Sequence, residues 1–285
     1  MFNGVARAAW RRPVVAAAVT VTVGAVGLVG TAVPEAAAAT VVDCDAGDNL
    51  QNAINASFPG DSLVLRGVCS GNFVIDKNLS VVGRQGAGIE GLNGDALLVT
   101  GAVTVSLTNL FITHSSGTTG TGLHNSIGTV TVTRSTIFEN DGANIGGGIA
   151  NDSGTLNLIR STVSGNTGVT FGGGIFNSSA LNVTASTISD NGAAFGAGIL
   201  NVVGGVMTLD RATISGNVSS SQGGGINNDN GGTATLNRST VTGNTAVEGG
   251  GIFNRGALTL NRSTVTGNSG GDCVQESPGT GCPAP

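Results

Sequence analysis

Hydrophobic and polar residues alternate in short runs over most of the chain, and the runs recur about every 26 residues. Each repeat holds three runs, which in the last copy read Gly-Ile-Phe-Asn, Ala-Leu-Thr-Leu and Ser-Thr-Val-Thr. Alternation with a period of two predicts a strand with one buried face. Three short strands in a repeat of nearly constant length predict a solenoid.

Alignment of the repeats on their glycine runs produces columns of identical residues. An isoleucine column follows the glycines at Ile149, Ile175, Ile199, Ile226 and Ile252. One asparagine column lies two residues later, at Asn125, Asn151, Asn177, Asn201, Asn228 and Asn254. A second asparagine column ends each repeat, at Asn140, Asn166, Asn191, Asn217, Asn244 and Asn268.

These columns predict a right-handed single-stranded parallel β-helix of about eight or nine coils, an all-β fold. Equivalent strands of successive coils would lie about 4.8 Å apart. Stacked side-chain amides can bond along the axis, and glycine supplies positive φ and close backbone approach. We therefore expect glycine and asparagine to turn the corners of each coil.

The repeats resemble those of the chlamydial polymorphic outer-membrane proteins, which pair a GGAI-like tetrapeptide with F-x-x-N. Here the tetrapeptide reads GGGI or GAGI, and Ile or Val replaces Phe at Ile137, Val163 and Ile214. The resemblance covers about residues 122–268 and implies the β-helix fold. Proteins of that family continue into a membrane domain, and this chain stops at Pro285. We therefore do not expect it to act as an autotransporter by itself.

Residues 48–84 resemble the start of pectin-lyase-like β-helix domains. Asp48 is the expected N-cap of a short helix over 48–57. Leu50, Ala53 and Ile54 share one face of this helix. The helix would cover the open N-terminal end of the coil. We expect the coils over 61–270 and a C-terminal cap or tail over 271–285.

The first 39 residues have the layout of a secretory signal peptide. Arg7, Arg11 and Arg12 precede an uncharged run over 14–33, and small residues end at Ala39. A transmembrane anchor is the alternative, because the run reaches about 20 residues. We predict cleavage before Thr40, and a mature domain over 40–285 that is extracellular, either free or associated with the cell surface.

Four cysteines remain after cleavage, two near each end of the domain, and four allow three pairings. Pairing Cys44 with Cys69 and Cys273 with Cys282 would staple the two ends. A zinc site is the rival interpretation, but it favours short spacings such as C-x2-C. Export also favours disulfide bonds.

Composition limits the classes of partner. Hydrophobic residues make up 39% of the chain and charged residues 10%, which is typical of a folded protein rather than a disordered one. The net charge of −5 argues against a nucleic-acid partner. We expect no cofactor, no metal and, after cleavage, no membrane partner.

An enzyme of the pectin-lyase-like superfamily, either a lyase or a glycoside hydrolase, is the alternative function. Hydrolysis needs two carboxylates about 5 to 10 Å apart, and a calcium-assisted lyase needs clustered acids. Glu139 and Asp190 share a column but lie two coils apart, and Asp152 and Asp229 lie three coils apart. The sequence thus favours a protein without a catalytic site, and the enzyme would require three acids and an arginine in one groove.

The two histidines, His114 and His124, show no spacing typical of metal ligands. We expect both to be solvated loop or turn residues.

An arginine column recurs once per repeat and is interrupted by Ala185. Its members are Arg134, Arg160, Arg211, Arg238 and Arg262. One interpretation is a solvated stripe whose guanidinium groups pair with acids such as Asp210. The other is a track that binds an anionic polysaccharide or cell-wall polymer. The leading prediction is a secreted, non-catalytic binding or adhesion-type rod.

The strand that precedes the second asparagine column points Thr or Ser outward twice per coil. The pairs are Thr162/Ser164, Thr187/Ser189, Thr213/Ser215, Thr240/Thr242 and Thr264/Thr266. Threonine is simply favoured on strands. Regular Thr-x-Thr arrays also resemble the flat faces of some ice-binding proteins, which makes ice binding a minor alternative.

Overall fold

The computed structural model describes residues 39–115, 119–142 and 145–282. Their strands stack in parallel, and each one pairs with the equivalent strand of the next coil. The chain is an all-β parallel β-helix of about nine turns, as predicted. The proposed signal peptide, residues 1–39, lies outside the described residues except for its last position.

Three long sheets, A, B and C, form the walls, and each coil passes through them in that order. Sheet A contains Thr40–Asp43, Ser62–Arg66, Leu79–Gly83, Thr104–Thr108, Thr129–Thr133, Thr155–Ile159, Ala180–Thr184, Val206–Asp210, Thr233–Asn237 and Ala257–Asn261. Sheet B contains Val68–Ser70, Gly88–Gly91, Phe111–His114, Thr136–Phe138, Thr162–Ser164, Thr187–Ser189, Thr213–Ser215, Thr240–Thr242 and Thr264–Thr266. Sheet C contains Phe73–Ile75, Leu97–Val99, Leu123–Asn125, Ile149–Asn151, Ile175–Asn177, Ile199–Asn201, Ile226–Asn228, Ile252–Asn254 and Cys273–Gln275.

A short fourth sheet, D, lies between B and C and was missed by the sequence analysis. Its strands are Asp141–Gly142, Thr167–Gly168, Gly192–Phe195 and Val218–Gln222. Two of these strands have only two residues, and the other two, GAAF and VSSSQ, show no alternation of apolar and polar residues, so periodicity cannot reveal them. Only the stacking of whole coils brings these segments together.

The core is a set of inward-facing apolar columns. The isoleucine column of sheet C is fully buried, and so are Leu158 and Val183 of sheet A. On these two sheet A strands the outward neighbours are exposed or half-buried, which confirms a strand with one buried face. Some strands of sheet C depart from the alternation, because their middle residues Ala150, Leu200, Asn227 and Phe253 are buried as well.

Both asparagine columns lie inside the helix and form continuous amide ladders. In the first ladder each Nδ2 donates to the Oδ1 of the next copy at 2.7 to 2.8 Å. In the second ladder the corresponding distances are 2.8 to 3.0 Å. Asn166 and Asn191, for example, are joined at 2.9 Å. The amides therefore lock successive coils in register.

The asparagines of the second ladder lie at corners, between the strands of sheets B and D, but they do not adopt left-handed geometry there. Positive φ occurs at many glycines and at Asn109, Ala185, five arginines, Glu139 and Asp190, but at no ladder asparagine among the described residues. The ladder amides must reach inward to bond buried carbonyl oxygens, such as that of Val163, which accepts from Asn191. A buried amide without such partners would be costly.

The ladders end on different groups. The ring of His114 contacts the Oδ1 of Asn140 at one end of the second ladder, and Asp272 accepts from Asn268 at the other. The first ladder ends on the carbonyl of Thr280. At its start the Oδ1 of Asn125 has no protein partner, because the preceding residue in that column is Val99.

Helix α1, Leu50–Ala56, covers the N-terminal end of the coil as predicted. Leu50 and Ile54 are buried. The N-cap is Asn49, whose side chain accepts from the backbone of Asn52, and not Asp48. Asp48 instead accepts from the backbone N–H of Asp43, which precedes the helix in the chain. The helix pattern alone could not reveal this contact.

The predicted local disulfide pairing is confirmed. Cys44 in a 3₁₀ turn, Cys44–Ala46, is bonded to Cys69 of sheet B, and Cys273 of sheet C is bonded to Cys282. The zinc interpretation of these cysteines is therefore wrong. The second bond closes the C-terminal segment over the last coil, where the Thr280 carbonyl also accepts from the backbone of Leu258.

Replacing Asn191 by Ala tests the amide ladder. The Asn191 Oδ1 accepts from both the backbone and the side chain of Asn166, and its Nδ2 donates to Val163 and Asn217. Leaving these buried groups unpaired should lower the free energy of unfolding by about 3 kcal/mol, measured by urea denaturation.

Asn182→Ala is the matched control, because its Nδ2 donates to Asn157 in an exposed ladder on the outside of sheet A. Water can replace that bond, so the loss should stay below about 1 kcal/mol. Equal losses at the two positions would contradict a special role for the buried ladders.

Candidate functional site

The arginine column lies at the corner where each coil passes from sheet A to sheet B. The backbone N–H of each corner residue continues the ladder of sheet A, for example from Arg160 to Thr184 and from Arg238 to Asn261. This pairing places the five arginines one above another, with Ala185 in the gap. All five are exposed. Their role as ligand-binding residues stays a prediction.

Each corner arginine adopts left-handed backbone geometry, with φ between 48° and 53°. This conformation costs a residue with a Cβ on the order of 1 kcal/mol. The other corner of sheet B uses glycine at four of its six left-handed positions, namely Gly165, Gly216, Gly243 and Gly267. Glycine would adopt this conformation with less strain, yet the five positions carry arginine.

Asp210 neutralises part of the column. It is 2.7 Å from the guanidinium group of Arg238 and 3.0 Å from that of Arg211. The hydrogen bond from Arg238, with the added charge of Arg211, holds the pKa of Asp210 below its usual value. Among the ion pairs of the described residues, none involves Arg134, Arg160 or Arg262.

Sheet B presents the Thr and Ser pairs beside this column. Their side chains point outward in two columns and are exposed or half-buried. The arginine corner borders one side of the face and the glycine corner borders the other. The result is a face of hydroxyl groups that runs along the axis and is flanked by cations on one side.

Two phenylalanines interrupt the hydroxyl columns near the N-terminal end and were missed by the sequence analysis. Phe111 takes the position that Thr136 holds in the next coil, and Phe138 takes the position of Ser164. Their rings meet edge to face with centroids 6.0 Å apart. A phenylalanine at an outward strand position was the signal that could have revealed them.

Two acids, Glu139 and Asp190, line one cleft of about 390 Å³ at the glycine corner. They lie two coils apart with Gly165 between them, as the sequence spacing predicted. The cleft also contains Thr136, Phe138 and Ser164 but no arginine. It therefore lacks the three acids and one arginine required for the enzymatic alternative.

His124 is not a solvated turn residue, contrary to expectation. It lies on a strand of sheet C, and its side chain is 27% exposed. Its Nδ1 is 2.7 Å from Asp95 and its Nε2 is 2.8 Å from Asp152. The hydrogen bond to Asp95 and that to Asp152 outweigh burial and raise the pKa of His124 to about 9.

The imidazolium form of His124 suits an ion pair and not a base. Both ring nitrogens lie within 2.8 Å of carboxylate oxygens, and in the imidazolium form both donate to them, which leaves no lone pair to accept a proton or bind a metal. Asp95, His124 and Asp152 come from three successive coils. The cluster therefore ties these coils together on the outside.

His114 also departs from the expectation of a solvated loop. It is 7% exposed, and its Nε2 is 2.7 Å from the carbonyl oxygen of Gly94. The ring of His114 is enclosed by residues of the neighbouring coils, Gly94 and Asn140. The spacing of the two histidines in the sequence could not show these contacts.

Within the part of the chain that the structure describes, no group of three or more His, Cys, Asp or Glu side chains is arranged to hold a metal ion. The same residues contain no helix with the length and apolar character needed to cross a membrane.

The Asp95–His124–Asp152 cluster predicts a pH-dependent stability. Its folded pKa of about 9 lies above the ordinary 6.5 of histidine, so its stabilisation is complete below pH 6.5 and is lost as the pH rises through 9. The free energy of unfolding should fall by about 2 kcal/mol from pH 6.5 to 9.5, a value reduced for the partial exposure of the cluster.

Urea denaturation of the wild type, His124→Gln and Asp152→Asn across this pH range measures the effect. His124→Gln should remove the decrease due to the cluster, and Asp152→Asn should shrink it. A decrease of the same size in His124→Gln and wild type would assign the pH dependence to other groups.

No protein-family model and no curated protein matches this sequence. Among solved structures, the chain is similar to the crystal structure of pectate lyase Pel9A, with a TM-score of 0.45 and 13% sequence identity. The similarity covers 85% of this chain and 80% of that chain. At this level it carries no argument about activity, and the parallel β-helix rests on the strand pairing of the chain itself.

Proposed function

We propose that the protein is a non-catalytic extracellular rod that binds an anionic polysaccharide or cell-wall polymer along its arginine column. The observation that carries this proposal is the set of five exposed arginines at left-handed corner positions. Glycine would relieve the backbone strain there. We attribute the presence of arginine instead of glycine at these corners to a function of the guanidinium group.

The geometry of the column suits a linear ligand. Successive corners lie about 4.8 Å apart along the axis, a step of the same order as one sugar unit in an extended chain. Guanidinium groups bind carboxylates through two parallel hydrogen bonds and stay charged at all physiological pH values. A polymer with regularly spaced acidic groups can therefore contact several arginines at once, and many weak contacts add up to a stable complex.

The neighbouring face of sheet B supplies uncharged partners. Its Thr and Ser hydroxyls can donate to and accept from sugar hydroxyls. Asp210 reduces the number of arginines that are available to a ligand, because it forms ion pairs with Arg211 and Arg238. We expect the largest contributions to the free energy of polymer binding from the three members without an ion pair in the described part of the chain, Arg134, Arg160 and Arg262.

An extracellular location agrees with the two disulfide bonds, which are typical of oxidising compartments. Secretion itself depends on the predicted signal peptide and stays a prediction. Adhesion would follow if the polymer belongs to a cell surface or wall.

The first test replaces Arg160 and Arg262 by Gln together. Neither has an acidic partner among the described ion pairs, so folding should be unaffected. Loss of two contacts of roughly 0.5 kcal/mol each should weaken binding to polygalacturonate about fivefold, measured by affinity electrophoresis or by the salt concentration that elutes the protein.

The matched control replaces Lys77 and Arg255 by Gln, because both follow strands of sheet C, away from the sheet A to sheet B corner. This removes the same charge from residues outside the column. Unchanged retention of the Arg160/Arg262 variant, or equal losses in both variants, would contradict a binding track.

The second test replaces Asp210 by Asn. Release of Arg211 and Arg238 from their ion pairs should strengthen polymer retention about threefold. Asp229→Asn makes the same change in net charge away from the column and should have a smaller effect. A gain of equal size in Asp229→Asn would assign the effect to net charge alone.

A further inference from the structure

A distinct cleft lies at the sheet A to sheet B corner of the N-terminal coils, where the repeat is irregular. Four residues, 84–87, connect Leu79–Gly83 to Gly88–Gly91, whereas only two connect the strands at the next corner, Asn109–Leu110. The extra residues form a turn in which the N–H of Ala87 donates to the carbonyl of Arg84 at 2.8 Å. This longer corner forms one wall of an open cleft of about 340 Å³.

Two cations border the cleft. Arg84 and Arg134, the first member of the arginine column, both line it and belong to the coils on either side of the one that carries Asn109. Neither takes part in an ion pair among the described residues. The coil between them has Asn109 at its left-handed corner, with φ of 54°. Asn109 lines the same cleft, and its side chain is shorter than that of the arginines in later coils.

The ring of Phe111 forms an apolar wall beside these cations. It is half-buried and packs against Gly88, where a Cβ would overlap the ring. The edge-to-face contact with Phe138 holds it from the other side. The ring therefore packs on both neighbouring coils, and Phe111 as a whole stays half-exposed.

We propose that this cleft binds a single uronate residue, with its carboxylate between Arg84 and Arg134 and its ring against Phe111. Arginine is suited to carboxylates, and small-ligand sites combine an apolar wall with a few convergent polar groups. A pyranose ring carries C–H groups that pack on an aromatic ring, and the Asn109 amide can bond its hydroxyls. The choice of a sugar acid rests on the proposed function, whereas the cleft is defined by its own residues.

The cleft differs from the rest of the column in what it can recognise. Later coils place Thr where Phe111 lies, so they offer charge and hydroxyl groups without an apolar wall. We therefore expect short acidic oligosaccharides to bind at the cleft, and long polymers to extend from it along the column.

Isothermal titration calorimetry with trigalacturonate at low salt tests the proposal. The wild type should show one saturable site. Arg84→Gln should weaken binding at least about tenfold and Phe111→Leu about threefold, because leucine keeps the packing on Gly88 but loses the flat ring. Arg255→Gln, which lies after a strand of sheet C and outside both the column and the cleft, should change the affinity less than about twofold.

Three results would overturn the proposal. They are the absence of saturable binding in the wild type, an equal loss in Arg84→Gln and Arg255→Gln, and binding of uncharged cellotriose as tight as that of trigalacturonate. Thermal unfolding of each variant checks that the fold is intact.

The polymer assay on the same proteins separates this proposal from the proposed function. Loss of polymer retention in the Arg160/Arg262 variant with trisaccharide binding unchanged supports both sites. Polymer retention without any trisaccharide binding refutes the cleft alone. Trisaccharide binding lost in Arg84→Gln, with polymer retention unaffected by Arg160 and Arg262, refutes the column alone and supports the cleft.

Discussion

The two buried amide ladders are the constraint on which the rest of the structure depends. Each asparagine uses its side chain to satisfy the next one, and water cannot take the place of a missing partner inside the helix. A coil that slipped by one residue would break both ladders and turn its apolar residues outward. Register is therefore determined by polar contacts and hydrophobic burial acting together.

Strict register forces every outward position into a column, so each coil repeats the surface chemistry of the one before. This is how one arginine per repeat becomes a line of charge, and how a Thr and Ser pair becomes a hydroxyl face. The left-handed corners show that the two sides of sheet B are treated differently. At the corner after sheet B most left-handed positions are glycine, which adopts positive φ without strain. At the corner before sheet B most are arginine, whose backbone is strained at positive φ.

Departures from the repeat concentrate in the N-terminal coils. The longer corner at 84–87, the Phe111 and Phe138 pair, and the cluster around His124 all lie between residues 84 and 152. A regular array can bind a repeating polymer, but a discrete ligand needs a place that differs from its neighbours. The irregular N-terminal coils offer such a place, and the regular coils that follow them towards the C-terminus extend the surface along the axis.

The sequence by itself determined the parallel stacking, the three strands per coil, the capping helix and the residues that share each column. The strands and columns repeat about every 26 residues, so alternation and spacing record them, and the single helix is recorded by its own apolar face. Four cysteines allow three pairings, and the structure confirms the local one that the positions of the cysteines near the two ends had suggested. Only the tertiary structure decided sheet D, the left-handed corner arginines, the burial of His114 and the ion pairs of His124. Each of these depends on contacts between residues of different coils whose corners differ in length, and a local pattern holds no record of such distances.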